Sequence, residues 1–231
     1  MIDDIHYPTT LSSVELDEYL LKGWFRMNQS VFTTSFVFDE KSFYPVYWLR
    51  VNLALLHPEI THKKIYASNR SFSVEIKPLL LSDELEFLYQ HYVSSLSFQP
   101  ADSLRQLLHG KFRKNIFDSW VIMVRDQGKL IAVGIFDKGE DSIAGIVNFY
   151  DPSYKKHSLG KYLMLLKKDH AVATGKNFYY PGYISTTNDK FDYKLFVDRK
   201  ATEVLVRYKN CWLPYDEALL NGMLDLELHV F

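Results

Sequence analysis

The chain has 231 residues, 47% of them hydrophobic and 24% charged, with a formal net charge of −1. That is the composition of a folded soluble protein, long enough for one large domain or two small ones, and it excludes intrinsic disorder and a strongly basic nucleic-acid coat. A single cysteine, Cys211, excludes an internal disulfide and any metal cage built from thiolates.

Ser12 to Lys22 reads as a short helix. Ser12 or Ser13 caps it, Glu15 lies at capping-box distance, and Leu16, Tyr19 and Leu20 form the apolar stripe. Phe25 to Phe38, rich in aromatic and β-branched residues, reads as a strand pair or one bent strand, and Tyr44 to Leu53 as another strand. Arg50 sits inside that otherwise apolar run, either as a salt-bridged structural group or as a ligand hook. Pro58 to Asn69 is expected to be helical with Pro58 in the first turn. Its His62, Lys63 and Lys64 either line a pocket for an acidic group or form a solvated face. Phe72 to Lys77 alternates as a strand does, and Ser82 to Ser94 is an amphipathic helix with Leu85, Leu88, Tyr89 and Tyr92 inward. Ala101 to Leu108 continues helically, and Lys111, Arg113 and Lys114 make a basic loop.

Trp120 to Val124 and Leu130 to Asp137 are strands joined by Arg125-Asp126-Gln127-Gly128-Lys129, whose Asp-x-Gly signals a hairpin. A polar turn leads into a strand from Ser142 to Phe149. The chain then turns at Asp151-Pro152 and enters a helix from Ser158 to Thr174, with Ser158 as hydroxyl N-cap and Gly175 at the C-terminal end. Leu159, Tyr162, Leu163, Leu166 and Ala173 give that helix its inner stripe, and Lys161, Lys167 and Lys168 its wet, basic face. Phe178 to Ile184 is the next strand, interrupted at Pro181-Gly182.

The stretch from Tyr150 carries a resemblance. Tyr150-Asp151-Pro152, Ser158-Leu159-Gly160 opening a helix, Tyr179-Tyr180-Pro181-Gly182-Tyr183, and Tyr193-Lys194 together look like the C-terminal half of the aminoacyl-tRNA–protein transferases, the arginyltransferases and their bacterial leucyl-transferring relatives. Upstream, Gly23-Trp24-Phe25-Arg26, Leu49-Arg50-Val51 and His57 to Lys64 with Asn69 resemble further family segments, and Glu203 and Trp212 match a later Glu and Trp. The chain departs from the family in four places, the first being Phe25, where Arg is common. Pro181 replaces Leu or Met, Thr186 to Asp192 has neither Cys nor Met, and the cysteine cluster that precedes the Arg-Val strand is missing between Phe36 and Arg50.

The resemblance implies an α+β fold: a Gcn5-related acyltransferase-like core, a mixed sheet with flanking helices over residues 72–231, preceded by a smaller N-terminal α/β region over residues 1–71. Element order alone supports only α+β. The implied activity is transfer of Arg or Leu from aminoacyl-tRNA to the N-terminal amine of proteins beginning with Asp or Glu, in the N-degron pathway. Aminoacyl-tRNA is the co-substrate, with no other cofactor, no metal, no DNA and no membrane partner. Asp137, Tyr150, Tyr183 and Lys194 are the catalytic candidates. Arg26, Arg50, Lys64, Asp151, Ser158 and Gly160 are the substrate-binding ones, since a carboxylate is best gripped by a fork of Arg donors. Lys155, Lys156, Lys161, Lys167 and Lys168 are the candidates for the tRNA acceptor stem.

An acyl-CoA-dependent N-acyltransferase is a competing reading. Its pyrophosphate loop needs glycines at a helix start, and the second glycine position here is the bulky Tyr162. A non-catalytic relative that binds N-termini is another, favoured by the missing cysteines. The opening residues carry no basic region followed by an apolar core, and no run reaches the roughly 18 apolar residues of a membrane span, so a cytoplasmic protein is expected.

Overall fold

The computed structural model describes residues 3–39, 42–97, 100–112, 114–185, 189–215 and 222. The chain runs β1 (Asp4–His6), α1 (Ser13–Leu21), β2 (Phe25–Met27), β3 (Ser30–Thr33), β4 (Phe36–Asp39), β5 (Ser42–Pro45), β6 (Tyr47–Asn52), α2 (Ile60–Asn69) and β7 (Ser73–Pro78). It continues through α3 (Asp83–Val93), α4 (Leu104–His109), β8 (Ser119–Asp126), β9 (Lys129–Lys138), β10 (Ser142–Tyr150), α5 (Leu159–Ala173), β11 (Phe178–Ile184), β12 (Thr202–Val206) and β13 (Cys211–Pro214). The basic loop's Arg113 lies outside the described residues.

Local chemistry accounts for most boundaries. Ser12 and Glu15 form the reciprocal capping box of α1. Ser82 caps α3 by accepting from the Leu85 amide. Gln127 and Gly128, at φ 47° and 89°, make the tight turn between β8 and β9, where positive φ at both positions matches the twist of the flanking strands. Helix α2 starts later than expected: its N-cap is Glu59, so Pro58 precedes the helix instead of occupying its first turn.

Eight strands form one sheet in the order β13-β12-β6-β11-β10-β9-β8-β7. The pairs are antiparallel except β10 with β11, which are parallel and joined by α5. The order α3, α4, β8, β9, β10, α5, β11 is the one read from the sequence, and the fold is mixed α+β. Strand β6, from the segment assigned to an N-terminal region, lies inside this sheet between β12 and β11, so residue 71 does not mark a break in it.

Alternation along the strands sends one set of side chains to each face. Ile122 and Val124 of β8 pack with Leu159, Leu163 and Tyr179 on the α5 face, where α2 also lies. Val121 and Met123 pack with Leu85, Leu88 and Leu104 on the α3–α4 face. A third cluster joins α1, β2 and β3 to Trp48, Ala144 and Tyr180. Among the described residues, no helix is long and apolar enough to cross a membrane.

Candidate functional site

Strands β10 and β11 part company inside the sheet. They are in parallel register only from Ser142 and Phe178 to Ala144 and Tyr180. Beyond that point β10 shifts against β9 between Gly145 and Val147, and β11 shifts against β6 between Tyr179 and Gly182. Each strand carries one extra residue, and such bulges bend a strand away from its neighbour. Pro181 has no N–H for a ladder, and Gly182 takes φ 102°, open to glycine. At Gly145 a Cβ would lie 2.9 Å from the Tyr179 hydroxyl, so the wedge needs glycine there. The result is a cavity of about 730 Å³ whose walls include Gly145 to Asn148, Pro181 to Tyr183, Tyr193, Lys194 and the start of α5.

That helix start is open. Ser158 is left-handed (φ 50°, ψ 45°); it closes a 3-10 turn, Pro152–His157, and then starts α5 without a side-chain cap. The expected hydroxyl cap therefore does not form, because a capping residue normally stands in the β region to reach the amides ahead of it. The first helical bond runs from the Tyr162 N–H to the Ser158 carbonyl at 3.0 Å, and the earlier amides carry the partial positive charge of the helix end. A Cβ at Gly160 would lie 3.3 Å from Tyr150 Cε1, so that ring packs over the helix start. Lys155, Ser158 and Lys161 are exposed at the cavity mouth, and Lys161 Nζ stands 4.6 Å from the Phe196 ring. Tyr162 is buried edge-on to Tyr66, 6.2 Å between ring centres, and does not line the cavity. Its bulk thus does not shut phosphate out, contrary to the reading from sequence.

In the same cavity, Lys194 Nζ donates to the Tyr183 carbonyl at 2.6 Å and lies 4.5 Å from the Tyr183 ring and 5.8 Å from the Tyr193 ring. Burial pushes its ammonium down to about 7, and pushes the Tyr183 and Tyr193 phenols up. Tyr183 meets Trp48 edge-on at 5.2 Å, and Tyr150 meets Tyr92 at 5.1 Å. Tyr150, Tyr183, Lys194, Ser158, Gly160, Lys155 and Lys161 thus converge on one cavity.

Other candidates go elsewhere. Asp137 is wholly buried and pairs with Arg26 Nη1 at 2.8 Å. Arg26 reaches the cavity wall, but its nitrogens also donate to Ser119, Leu108 and Asn28, and its guanidinium lies 4.3 Å over Phe117. The pair is a structural clasp between β2, β8 and β9; neither the base nor the carboxylate hook expected of these two residues is available. Arg50 Nε bonds Glu203 at 2.5 Å, with Phe178 and Trp212 on its guanidinium at 4.1 and 4.6 Å. It too is a structural group. Lys64 is exposed on α2 and does not line the cavity, while His62 is buried against the Phe196 carbonyl. Asp151 is buried in its turn. Burial pulls its carboxyl up, but Lys129 and Ser153 bond it and hold it well below the usual carboxylate range.

The basic face of α5 is also smaller than expected. Lys168 pairs with Asp169 at 2.7 Å, away from the cavity. Lys156 is exposed beside the mouth without lining it. Lys167 is 1% exposed and points inward. Its position was legible: Leu159, Leu163 and Lys167 are successive steps of four along one helix face. Asn148, Tyr92 and Tyr193 also line the cavity and were missed; an Asn within the apolar run Ser142–Tyr150 was the available signal.

The family cysteine cluster has no counterpart. The hairpin of β4 and β5 contains no thiol, so its donors do not fit a thiolate-held metal.

Comparison with known proteins places the chain. A family model described as "Arginine-tRNA-protein transferase, C terminus" matches residues 84–200. An aspartate/glutamate leucyltransferase of Leptospira interrogans serogroup Icterohaemorrhagiae serovar copenhageni is 27% identical over 174 residues, covering 73% of this chain and 67% of its own. One of Thiobacillus denitrificans is 26% identical over 149 residues, covering 63% of this chain and 62% of its own. A GCN5-related N-acetyltransferase from Kribbella flavida shares 12% identity, with a TM-score of 0.34, over 74% of this chain and 54% of that one. The match to these curated relatives thus spans about two thirds of their length or somewhat less. With the family model covering half of its length, this chain belongs to the arginine-tRNA–protein transferase family.

Proposed function

We propose that the chain transfers leucine or arginine from its tRNA to the N-terminal α-amine of proteins that begin with Asp or Glu. The supporting observation is the wedge between β10 and β11, a cavity lined both by an uncapped, lysine-flanked helix start and by the half-buried Lys194. The α-amine nitrogen attacks the ester carbonyl carbon; the C–N bond forms, the ester C–O bond breaks, and the tRNA ribose oxygen leaves with a proton. The ester is already activated, and a free α-amine has a pKa near 7.7–8.0, about that of the solution. Positioning and a modest base are enough.

Lys194, pushed down to about 7, takes the proton from the amine and returns it to the leaving oxygen. The Tyr150 hydroxyl and the open amides of α5 face the developing oxyanion. Lys155, Lys156 and Lys161 meet acceptor-stem phosphates. The co-substrate is aminoacyl-tRNA, with no dissociable cofactor; the reaction belongs to the cytoplasm, and its product is a degradation signal.

Radiolabelled leucyl- and arginyl-tRNA, each offered with peptides beginning Asp, Glu or Ala, tests this. Label should pass to the acidic peptides only. Transfer from neither tRNA, or equal transfer to the Ala peptide, refutes it. One observation favours a second reading, acyl-CoA-dependent N-acylation: the α5 start is uncapped and Tyr162 does not obstruct it. Acetylation of peptide by acetyl-CoA, without tRNA, would favour that reading.

A further inference from the structure

The cavity holds a cation that neither phosphate contact nor proton transfer absorbs. Lys167 is 1% exposed, yet it forms part of the cavity wall. Its Nζ donates to Asn148 Oδ1 at 2.8 Å and to the Val147 carbonyl at 3.3 Å. Both acceptors belong to β10 just beyond its bulge and line the same cavity, so the ammonium is held against the bulged side of the wedge.

The seat is built for it. Asn148 lies opposite Gly134 on β9, and a Cβ at Gly134 would come within 3.1 Å of both Lys167 Cε and Asn148 Oδ1. Any larger residue there would crowd the lysine stem and the Asn148 amide. An ammonium has three donors and no acceptor. Two are used, and among the described residues no third protein partner is recorded. Because the ammonium can only donate, Asn148 must turn its Oδ1 toward it. That leaves the Nδ2 group, also a donor, on a residue lining the same cavity. Desolvation pushes Lys167 down to about 7, while the nearby Asp137 carboxylate favours its charge.

We propose that Lys167 and Asn148 bind the side-chain carboxylate of the substrate's first residue and make the cavity select Asp or Glu; this rests on the transfer reading above. Two donors in the wall of one cavity suit a small anion on a short stem. Tethered phosphates meet the exposed lysines at the mouth instead. An uncharged first residue leaves the third donor of a desolvated ammonium unfilled, and a polar site rejects an analogue strongly for that reason.

The test compares the full chain with Lys167→Met and Lys167→Gln, using charged tRNA and peptides differing only in a first residue of Asp, Asn, Glu or Gln. The wild type should prefer Asp over Asn, and Glu over Gln, by about 30-fold or more in kcat/KM. Both variants should lose most of that preference by slowing on the acidic peptides alone. An unchanged preference overturns the proposal, and so does an equal loss on acidic and amide peptides, which marks a structural role. Calorimetry of the same peptides without tRNA keeps the test separate from the transfer reading. If the wild type transfers nothing, tighter binding of the Asp than the Asn peptide that vanishes in Lys167→Met still upholds the carboxylate site. Equal binding of the two by the wild type overturns it.

Discussion

Replacing Arg26 by Met should destabilise the protein by about 3–5 kcal/mol, because it leaves a buried carboxylate without its countercharge. Asp137 has 0% exposure, its Oδ1 accepts from Arg26 and Ser119, and its Oδ2 has no partner in the structure. Without the guanidinium, the Ser119 hydroxyl is the one hydrogen bond left to it among the described residues, and Lys167 the remaining nearby cation. The Leu108 carbonyl keeps its bond from Gln29, so the loss falls mainly on Asp137 and on the Asn28 carbonyl. For a chain of this size the Tm should fall by about 6–20 °C. Burial already raises the Asp137 carboxyl above its ordinary value, and losing Arg26 raises it further. The native variant then holds a proton that the unfolded chain releases above pH ~4, so its stability drops as pH rises. Urea unfolding followed by circular dichroism should therefore show a larger deficit at pH 8 than at pH 5. The double variant Arg26→Met with Asp137→Leu should recover most of the loss, since an apolar pair carries no stranded charge. A single-variant loss below about 1 kcal/mol, or a double variant as damaged as the single, would refute this account of the clasp.

Three further outcomes follow from the geometry. Burial holds Lys167 near 7 against 10.5 for the free group, so its cost to folding is full below pH 7 and fades toward pH 10.5. Lys167→Met should accordingly gain over the wild type by about 2–4 kcal/mol at pH 6 and by much less at pH 10, read from urea midpoints; a gain that does not change with pH contradicts the buried charge. The double variant Lys155→Ala, Lys161→Ala should flatten the plot of log tRNA affinity against log salt by about 1.5–2 in slope, and an unchanged slope would remove both lysines from the phosphate path. Gly134→Ala should cost about 1–3 kcal/mol through its clash with Lys167 and Asn148, whereas Gly128→Ala meets no atom within 4 Å and should show only the strain of its positive φ, which is 89°; equal unfolding midpoints for Gly134→Ala and wild type would refute that packing.

Short-range chemistry was legible in the sequence. The Ser12–Glu15 box, the Gln127-Gly128 turn, the Ser82 cap and the sequence β10, α5, β11 all depend on residues within a few positions of one another. The interruption at Pro181-Gly182 was legible too, although its effect, the opening of the sheet, needed the matching bulge at Gly145 to Val147. The partners of buried charges were not legible. Arg50 finds Glu203 at a separation of 153 residues, and Arg26 finds Asp137 at 111. An isolated Arg in an apolar run looks the same whether its partner is a substrate or a distant carboxylate. Lys167 differs for another reason: a lysine's charge points to a wet face, whereas its place on the stripe shared with Leu159 and Leu163 turns it inward.

The threading of β6 between β11 and β12 sets an order of events for a chain made from its N-terminus. Its residues Val51 and Leu49 must wait for Tyr179, Gly182 and Val204, all of which are synthesised late. Until then a strand carrying the apolar residues Tyr47, Trp48, Leu49 and Val51 has both edges unsatisfied. Contacts this distant in sequence slow folding and prolong the exposure of sticky edges. A nascent chain stalled before residue 178 would be a natural client for a chaperone, and the two halves of the protein, expressed apart, should assemble only with each other.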